Sequence, residues 1–434
     1  MTKQLKSLHL GILWGALLFA ASDHLQSEEP HDVVANGTRS KTSLPTAKAK
    51  VAALGQLTAA PVARDITGTP IGISTGKMLK TYIDALDYEG KPTRFFALIE
   101  IPSSASTSTK VPGIVLVHGG GGSAFEEWAD LWVARGYAAI SIAVEGQTNE
   151  RDVTSAGKRR WKRHAWAGPQ RTGIYGDMSK PIAAQWMYHA VADTILANSL
   201  LRSLPEVADD KVGIMGISWG GVITSTVIGI DNRFAFAIPT YGCGHKFDSK
   251  NQYGAALGNS TLYRELWDPI VRLDQATMPV LWLSWPGDKH FPMDALAASY
   301  RTATGPRLVS LIPGMKHGHA AAWRPAESYV FADSIVRQGK IWARQTGAEL
   351  KGDRFEVSFE TTRHVDRAYL VATSENGFTG NRTWTQTPAA LVKKSHEWVA
   401  TATVPKSTTA WFMNLSADGL TASSDFQEVG AQQN

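Results

Sequence analysis

The feature that most constrains this fold is a series of apolar, strand-like runs that alternate with helix-like segments. One such segment, "AFEEWADLWVARG", has apolar residues at helical spacing, and Ala183–Pro205 reads as a long amphipathic helix stopped by proline. Because strands buried on both faces read as continuous apolar runs, this alternation predicts an α/β fold, a mostly parallel sheet with helices on both faces. The runs are "RFFALIEIP", "GIVLVHGGGG", "GYAAISIAVEG", "KVGIMGIS", "FAFAIPTYG", "PVLWLSWPG" and "RLVSLIPG".

The last part of the chain has a different pattern. "RFEVSFETT" alternates at Phe355, Val357 and Phe359, and similar short runs follow among Gly, Asn, Ser and Thr. This pattern predicts a small all-β sandwich over residues 347–434, after a catalytic domain over residues 75–346. The sandwich either binds polysaccharide or packs against the larger domain. Packing is favoured because its tryptophans lie within or beside the strand patterns: Trp384, Trp398 and Trp411.

The N-terminus is typical of a secretory signal peptide. Two lysines precede an apolar stretch from Leu8 to Ala21, which is short for a membrane span. We expect cleavage after Ser22, export to the periplasm or the extracellular space, and a polar, weakly structured leader over residues 23–74; an uncleaved anchor is the alternative. No later run is long enough to span a bilayer. Cys243 is the only cysteine, so an intrachain disulfide is excluded.

The charge is mildly basic, with a net value of +5 and a pI of about 9.1. One run, "GKRRWKRH" (residues 157–164), concentrates it. Such a run is either a solvated loop or an anion-binding patch for acidic or sulfated substrates. Because the chain contains no recognisable nucleic-acid module, we expect no nucleic-acid partner.

The stretch "GISWG" (residues 216–220) matches G-x-S-x-G, with a strand-like run before it and a helix-capable segment after it. In this context the sharp turn exposes the Ser218 hydroxyl above the sheet, at the positive end of the following helix. Without partners, Ser218 could be no more than a small residue in a tight turn.

A nucleophilic serine needs a base and an orienting acid. Asp288 in "PVLWLSWPGDKHFPMD" follows one strand-like run, and His317 in "LVSLIPGMKHGHA" follows the next. The order Ser218, Asp288, His317, each at the carboxyl end of a strand, predicts a catalytic triad.

Alternatives to two of these residues remain open. Asp294 is a second candidate acid, although it is expected to begin the next helix. His319 is a second candidate base, and the H-G-H pair could in principle bind metal, but it lacks a nearby carboxylate or cysteine ligand. We therefore expect neither a metal nor another cofactor.

Acyl transfer also needs donors for the developing oxyanion. "VHGGGGS" follows an early strand, where bare glycine backbone can approach the reacting carbonyl. We expect the donors to be the N–H of Gly119 or Gly120 and that of Trp219. The alternative is a flexible glycine loop; a phosphate-binding loop is disfavoured because no G-K-[ST] follows.

These residues together resemble the α/β-hydrolase superfamily, and more narrowly the bacterial acetylxylan esterase and dienelactone-hydrolase-like group. The resemblance extends over roughly residues 82–343 and implies Ser218 as nucleophile, Asp288 as acid and His317 as base, with donors near Gly119 and Trp219. Relatives often have an Asp-rich turn where this chain has "AVEGQTNE". The stretches concerned are "VPGIVLVHGGGGSAFEEWADLWVARGYAAISI", "VGIMGISWGGVITSTVIGIDNRFAFAIPTYGCG", "PVLWLSWPGDKHFPMDALAASY" and "GMKHGH".

Features that could recognise substrate are fewer. We expect the insert from Gln147 to Ile182 to form a lid or wall over the active site, and Tyr241 to line the pocket. Most of the 15 tryptophans are assigned to packing. Those in loops near the expected active-site face are candidates for stacking on sugar rings: Trp161, Trp166, Trp219, Trp285 and Trp323.

The sequence therefore predicts an exported serine esterase that removes acyl groups, acetyl in particular, from carbohydrate or small esters. A serine peptidase of the prolyl-oligopeptidase type is the alternative, although no propeller-like repeats precede the hydrolase region. A third hypothesis is a binding protein on a degenerate hydrolase fold, against which the intact triad argues.

Overall fold

The structure is a computed structural model that describes residues 43–155 and 157–430. The expected signal peptide and part of the polar leader lie outside the described residues. The strands are β1 (Ala63–Arg64), β2 (Leu79–Asp84), β3 (Arg94–Glu100), β4 (Val111–Val117), β5 (Ala138–Ala143), β6 (Gln147–Val153), β7 (Arg159–Arg163), β8 (Val207–Ile217), β9 (Ala237–Thr240), β10 (Val280–Ser284), β11 (Arg307–Leu311), β12 (Arg344–Lys351), β13 (Arg354–Glu360), β14 (Val365–Thr373), β15 (Thr385–Lys394), β16 (Glu397–Thr403), β17 (Ala410–Ala417), β18 (Leu420–Ser423) and β19 (Gln427–Glu428). The α-helices are α1 (Leu44–Ala52), α2 (Glu126–Val133), α3 (Trp186–Ser203), α4 (Trp219–Val227), α5 (Gln252–Leu257), α6 (Met293–Thr302), α7 (His319–Trp323) and α8 (Ala326–Val336).

The first eleven strands, apart from the hairpin β6–β7, form one side of a large sheet in the order β1-β2-β3-β5-β4-β8-β9-β10-β11. Every pairing from β5 through β11 is parallel, while β1, β2 and β3 pair antiparallel at one edge. Strands β4, β5 and β10 are buried along their whole length, as their continuous apolar sequences require. The expected α/β architecture is confirmed.

The C-terminal strands form the expected β-sandwich. One layer is β12-β13-β16, the other is β14-β17-β18, and β15 pairs first with β14 and then with β16. Alternate side chains of both layers, among them Phe355, Val357, Phe359, Leu370 and Met413, fill a separate apolar core.

The sandwich is joined to the α/β sheet along an edge and at a turn. Strand β18 pairs antiparallel with β11, with Val309 opposite Ser423. The turn at residues 379–381 reaches the loop after β10, where a Cβ added to Gly380 would lie 2.3 Å from the Asp288 carbonyl oxygen. The Thr379 hydroxyl accepts a hydrogen bond from the Met293 N–H at 2.9 Å. The turn between β14 and β15 therefore supports the loop that contains Asp288.

Part of the segment expected to be a weakly structured leader is folded. Helix α1 begins after Ser43, whose hydroxyl caps the Thr46 N–H, and it buries Val51 completely. The turn that follows buries Leu54, and the Leu57 carbonyl accepts a hydrogen bond from the Ser199 hydroxyl in α3. Two buried apolar side chains and this bond hold the segment against the α/β domain.

The insert from Gln147 to Ile182 begins with the β6–β7 hairpin and continues as an irregular segment. Tyr175, in the irregular part, is buried and packs on Trp219 with a ring-centroid distance of 5.4 Å. The insert thus lies against the residue that follows Ser218.

Among the helices that the structure describes, none combines the length and the apolar character needed to cross a bilayer.

Candidate active site

A strained serine lies at the turn between β8 and α4. Ser218 has φ 56° and ψ −114°, and its N–H donates a 2.9 Å hydrogen bond to the Thr240 carbonyl in β9. A positive φ is costly for any residue except glycine, and such strain is found where the surrounding structure holds a functional side chain. The turn therefore fixes the direction of the Ser218 side chain.

The two glycines of "GISWG" are required by space. A Cβ at Gly216 would lie 2.1 Å from the Gly220 carbonyl oxygen, and one at Gly220 would lie 2.0 Å from the Val117 carbonyl oxygen. Both distances are far below van der Waals contact, so a side chain at either position would force the backbone apart. The close approach brings the end of β4 beside Ser218.

The structure brings Ser218, His317 and Asp288 together in one hydrogen-bonded series. The distance from Ser218 Oγ to His317 Nε2 is 3.0 Å, and that from His317 Nδ1 to Asp288 Oδ2 is 2.6 Å. Both distances are within hydrogen-bond range. The sequence order therefore corresponds to a spatial arrangement in which an imidazole links a hydroxyl to a carboxylate.

The Asp288 carboxylate is held in its ionised form. Its side chain is 2% exposed, and burial by itself would raise its pKa. The charge of His317, the hydrogen bond to it, and the backbone N–H groups of His290 and Phe291 outweigh burial and lower the pKa of Asp288 below its usual value. An ionised carboxylate here favours a proton on Nδ1 of His317, which leaves Nε2 facing Ser218.

The two alternative residues occupy other positions. Asp294 is exposed in the first turn of α6, as its sequence context predicted. His319 begins α7, and its Nε2 accepts a hydrogen bond from the Gly119 N–H at 3.0 Å. Neither residue forms part of the series from Ser218 to Asp288.

Two imidazoles hold the Gly119 residue of the glycine loop at both of its polar groups. His118 Nδ1 lies 2.7 Å from the Gly119 carbonyl oxygen, and its Nε2 accepts the Val144 N–H, so Nδ1 is the donor. His319 accepts the Gly119 N–H. Burial lowers the pKa of His118 to about 4 and that of His319 to about 3, so both rings are neutral at pH 7.

Because His319 occupies the Gly119 N–H, the next N–H along the loop is the one that remains available. Among the described residues, neither the Gly120 N–H nor the Trp219 N–H has a hydrogen-bond partner. A Cβ at Gly119 would lie 3.0 Å from Ser218 Cβ, and a Cβ at Gly120 would lie 2.8 Å from Trp219 Cδ1. The two unoccupied donors therefore lie on segments that meet beside Ser218.

Aromatic rings cover His317. Tyr241 stacks on the imidazole with a centroid distance of 4.5 Å, and Phe291 lies nearly parallel to it at 5.9 Å. Tyr241 is fully buried, and its hydroxyl donates to the Lys316 carbonyl. This residue supports the imidazole and its loop, while a contact between Tyr241 and substrate stays a prediction.

The tryptophans named from the sequence as substrate candidates contact other parts of the protein. Trp323 is 3% exposed and stacks on Trp128 with a centroid distance of 5.7 Å, so it has no free face to offer a sugar. Trp285 packs edge-on against Phe412 of β17 at 6.3 Å. A substrate contact at Trp285 stays a prediction.

The Trp219 indole lies among cations that sequence reasoning missed. The Arg171 guanidinium carbon and Lys246 Nζ each lie 5.0 Å from its ring centroid, and Lys246 Nζ is 3.3 Å from the Tyr253 ring centroid. Arg171 forms a largely buried ion pair with Glu145 at 3.0 Å. Lys246 closely follows strand β9, but nothing in its local sequence pairs it with the rings of Trp219 and Tyr253.

Within the described ranges, no cluster of three or more His, Cys, Asp or Glu side chains is arranged to hold a metal ion.

Comparison with protein families gives one match. Residues 78–270 match the family model described as Acetyl xylan esterase (AXE1). The chain is an α/β-hydrolase that resembles the acetyl xylan esterases. It is a serine hydrolase of the carboxylic ester class. The match includes Ser218 and the glycine loop and ends before Asp288 and His317, so it does not test the assignments of those two residues.

Solved structures similar to this esterase include two acetyl xylan esterases and a dienelactone-hydrolase relative. The acetyl xylan esterase from Paenibacillus sp. R4 has 18% identity and a TM-score of 0.48, covering 65% of this chain and 92% of that one. Acetyl xylan esterase 1 from Thermoanaerobacterium sp. JW/SL YS485 has 16% identity and a TM-score of 0.49 at the same coverage. A putative dienelactone hydrolase from Klebsiella pneumoniae has 16% identity and a TM-score of 0.41, covering 61% of this chain and 100% of that one. No curated protein matches the esterase in sequence.

Proposed function

We propose that this esterase is exported and removes acyl groups, acetyl in particular, from carbohydrate, with Ser218 as the nucleophile. The observation that supports the proposal most directly is the hydrogen-bonded series from Ser218 Oγ through His317 to Asp288, at 3.0 and 2.6 Å. A serine hydroxyl is a weak nucleophile by itself, and a neighbouring imidazole oriented by a carboxylate is the arrangement that activates it.

In the proposed mechanism His317 Nε2 takes the proton of Ser218 Oγ as the oxygen attacks the ester carbonyl. The N–H groups of Gly120 and Trp219 stabilise the oxyanion of the tetrahedral intermediate, and the positive end of α4 adds to this stabilisation. The imidazolium then gives its proton to the departing sugar oxygen, which leaves an acyl group on Ser218. Water attacks this acyl-enzyme with His317 again as base, and the acid and free enzyme are released.

Substitution of the proposed nucleophile tests this mechanism. We expect Ser218→Ala to lower kcat on p-nitrophenyl acetate by at least about a thousand-fold and to abolish labelling by a fluorophosphonate probe. Retention of wild-type esterase activity in Ser218→Ala would contradict the proposal. Failure of the wild-type protein to react with the probe would favour a binding protein on this fold instead.

A matched pair of substitutions tests the assignment of the acid. Asp288→Asn removes the carboxylate that orients His317, and we expect a fall in kcat on the order of ten-thousand-fold. The exposed Asp294 provides the control, since Asp294→Asn should stay within about two-fold of the wild type. A large loss in the Asp294 variant, with little change in the Asp288 variant, would reverse the assignment.

The substrate class is tested by comparing acyl esters with peptides. Acetate released from acetylated xylan, measured beside cleavage of prolyl and acylated peptides, separates an esterase from a serine peptidase. The family match supports the ester. A kcat/KM for a peptide above that for acetylated xylan would favour the peptidase alternative.

Export is tested on the protein recovered outside the cytoplasm. We expect its N-terminal sequence to begin at Asp23, after cleavage following Ser22. Retention of residues 1–22 on a membrane-bound product would favour the uncleaved anchor.

A further inference from the structure

The basic run "GKRRWKRH" contains the whole second strand of the β6–β7 hairpin, and this hairpin rests on the glycine loop. Trp161 Nε1 donates a 2.8 Å hydrogen bond to the Gly121 carbonyl, and the Trp161 ring contacts Phe125 edge-on at a centroid distance of 6.0 Å. Gly121 is the residue after Gly120, the proposed oxyanion donor. The hairpin therefore borders the proposed site of acyl transfer.

The register of the hairpin divides its charges between two faces. Arg151 pairs with Trp161 and Val153 pairs with Arg159, so these side chains share one face with Arg163. Asp152 pairs with Arg160 on the other face. That opposite face also contains an ion pair at 3.4 Å, between Lys162 and Glu150.

The face that contains Trp161 therefore has three arginines and no acid, while the opposite face has two cations and two acids. One of the three arginines is structural, because the Arg163 guanidinium donates to the carbonyls of Glu145 and Gly168. Arg151 and Arg159 are exposed, and neither has an ion-pair partner among the described residues. The positive charge on this face is thus uncompensated and faces solvent.

The position of Arg151 makes this charge more than a dispersed surface feature. Its guanidinium carbon lies 3.9 Å from the centroid of the Trp161 ring, which is itself tied to the glycine loop. An arginine held on an indole keeps its fork of donors in a defined orientation at a lower entropic cost than a free side chain. Guanidinium groups bind carboxylate and sulfate through paired, charge-assisted hydrogen bonds.

We propose that Arg151 and Arg159 on the Trp161 face form a subsite for the anionic substituents, carboxylate or sulfate, of the polysaccharide whose esters are cleaved. The inference rests on the proposed function and names its substrate class, an acidic glycan rather than a neutral one. Binding of a charged sugar on this face places a neighbouring acylated sugar near Ser218. Because both arginines are exposed, the attraction weakens as salt rises.

The experiment compares two double variants that remove the same charge from opposite faces. Arg151→Gln with Arg159→Gln removes the proposed subsite, and Arg160→Gln with Lys162→Gln is the matched control. We expect the first pair to lower kcat/KM on acetylated, uronate-bearing xylan at least about ten-fold at low salt, chiefly through KM, and the control to change it by less than about two-fold. Both should hydrolyse p-nitrophenyl acetate at nearly the wild-type rate, because that ester does not reach the hairpin face.

The polymer itself provides the second control. Carboxyl reduction of the same acetylated xylan should remove the difference between the two double variants, and a sulfated, acetylated xylan shows whether sulfate substitutes for carboxylate. Equal losses in both double variants, or equal wild-type kcat/KM on the acidic and the carboxyl-reduced polymer, would overturn the proposal.

Failure of the subsite can be distinguished from failure of the proposed function. The Ser218→Ala variant should still bind deacetylated, uronate-bearing xylan in affinity electrophoresis, and addition of the Arg151 and Arg159 substitutions should remove this binding. A wild-type protein that binds the polymer but shows no esterase activity would contradict the proposed function and leave the subsite standing. Esterase activity without binding would contradict the subsite alone.

Discussion

Gly119 has its N–H and its carbonyl bound by different imidazoles, those of His319 and His118. His319 holds the peptide plane before the Gly119 Cα and His118 holds the plane after it. The second plane contains the Gly119 carbonyl and the N–H of Gly120, so the Gly120 N–H keeps its direction. Donors fixed in advance stabilise a transition state more than donors that have to reorient. We therefore infer that His319 is a positioning residue that acts through the backbone of the glycine loop.

Substitution of His319 tests this role. We expect His319→Phe, which keeps an aromatic ring but removes the acceptor, to lower kcat on p-nitrophenyl acetate about ten- to a hundred-fold with little change in KM. His319→Gln, whose side-chain carbonyl can accept the same N–H, should recover much of the loss. Equal activity of the Phe and Gln variants would show that the hydrogen bond does not position the loop.

Burial of neutral histidines predicts how stability changes with pH. The pKa values of His118 and His164 are lowered to about 4 and that of His319 to about 3, in each case chiefly by burial. Their stabilising contribution is complete above the unfolded value of 6.5 and is lost as pH falls, because the unfolded chain then binds protons that the folded one does not. Urea unfolding between pH 6.5 and 5 should therefore show a falling free energy of unfolding.

The same series gives a quantitative comparison. One such histidine contributes a slope of up to about 1.4 kcal/mol per pH unit in this window, and His319→Gln should reduce the wild-type slope by about that amount. Identical slopes in the wild type and the variant would mean that His319 is not held neutral by burial.

The serine, histidine and carboxylate could be ordered from sequence because each follows a strand-like run, and the carboxyl ends of parallel strands meet at one edge of a sheet. The roles of His319 and Lys246 could not be predicted in this way. His319 Nε2 meets the Gly119 N–H from 200 residues away, and Lys246 lies among the rings of Trp219 and Tyr253. No local pattern encodes either contact.

Among the elements, α3 shows why periodicity gave an incomplete description. Its sequence predicts an amphipathic helix, but it is buried on nearly all sides, polar residues included. Asn198, for example, donates to the Asp231 carboxylate at 2.9 Å. The sequence of α3 has the pattern of a helix with one face in solvent. Its polar face is instead buried, and buried polar side chains need hydrogen-bond partners that only the tertiary structure reveals.

The segment containing α1 shows the opposite error, since a polar composition concealed a packed element. We expect Leu54→Ala, which empties a buried site, to lower the free energy of unfolding by about 2–5 kcal/mol. The control is Lys48→Ala, which breaks only an exposed ion pair with Glu265 and should cost less than about 1 kcal/mol. Chemical denaturation measures both, and an equally small effect of the two would mean that the segment contributes little to stability.

At the scale of the whole molecule, the sandwich protects an edge of the α/β sheet. Strand β18 occupies the edge of β11, where the Ser423 hydroxyl accepts the Leu311 N–H at 2.8 Å and the Thr421 carbonyl accepts the Ser310 hydroxyl at 2.7 Å. Without it, β11 would be an open apolar edge.

A truncation tests this dependence. We expect a chain ending at Ala343 to associate or precipitate through β11, as measured by its soluble fraction and by size-exclusion chromatography. Ser310→Lys in the truncated chain should partly restore solubility by placing a charge on the edge, because the Ser310 side chain faces β18 in the intact protein. A truncated chain that stays monomeric and fully active without that substitution would contradict the prediction.

The two-part architecture was predictable because a period of two and continuous apolar runs are different signals. The join between the parts was not, because pairing between β11 and β18 depends on strands more than a hundred residues apart. Nothing in the sequence of either strand specifies its partner.

The contact between Gly380 and the Asp288 carbonyl connects the sandwich to the loop of the proposed catalytic acid. Heating that loosens only the C-terminal layers would release the Asp288 loop while most of the parallel sheet stays intact. Enzymatic activity would then disappear before the main calorimetric transition. We therefore expect a chimeric enzyme to keep its activity only when the hydrolase part and the sandwich come from the same parent protein.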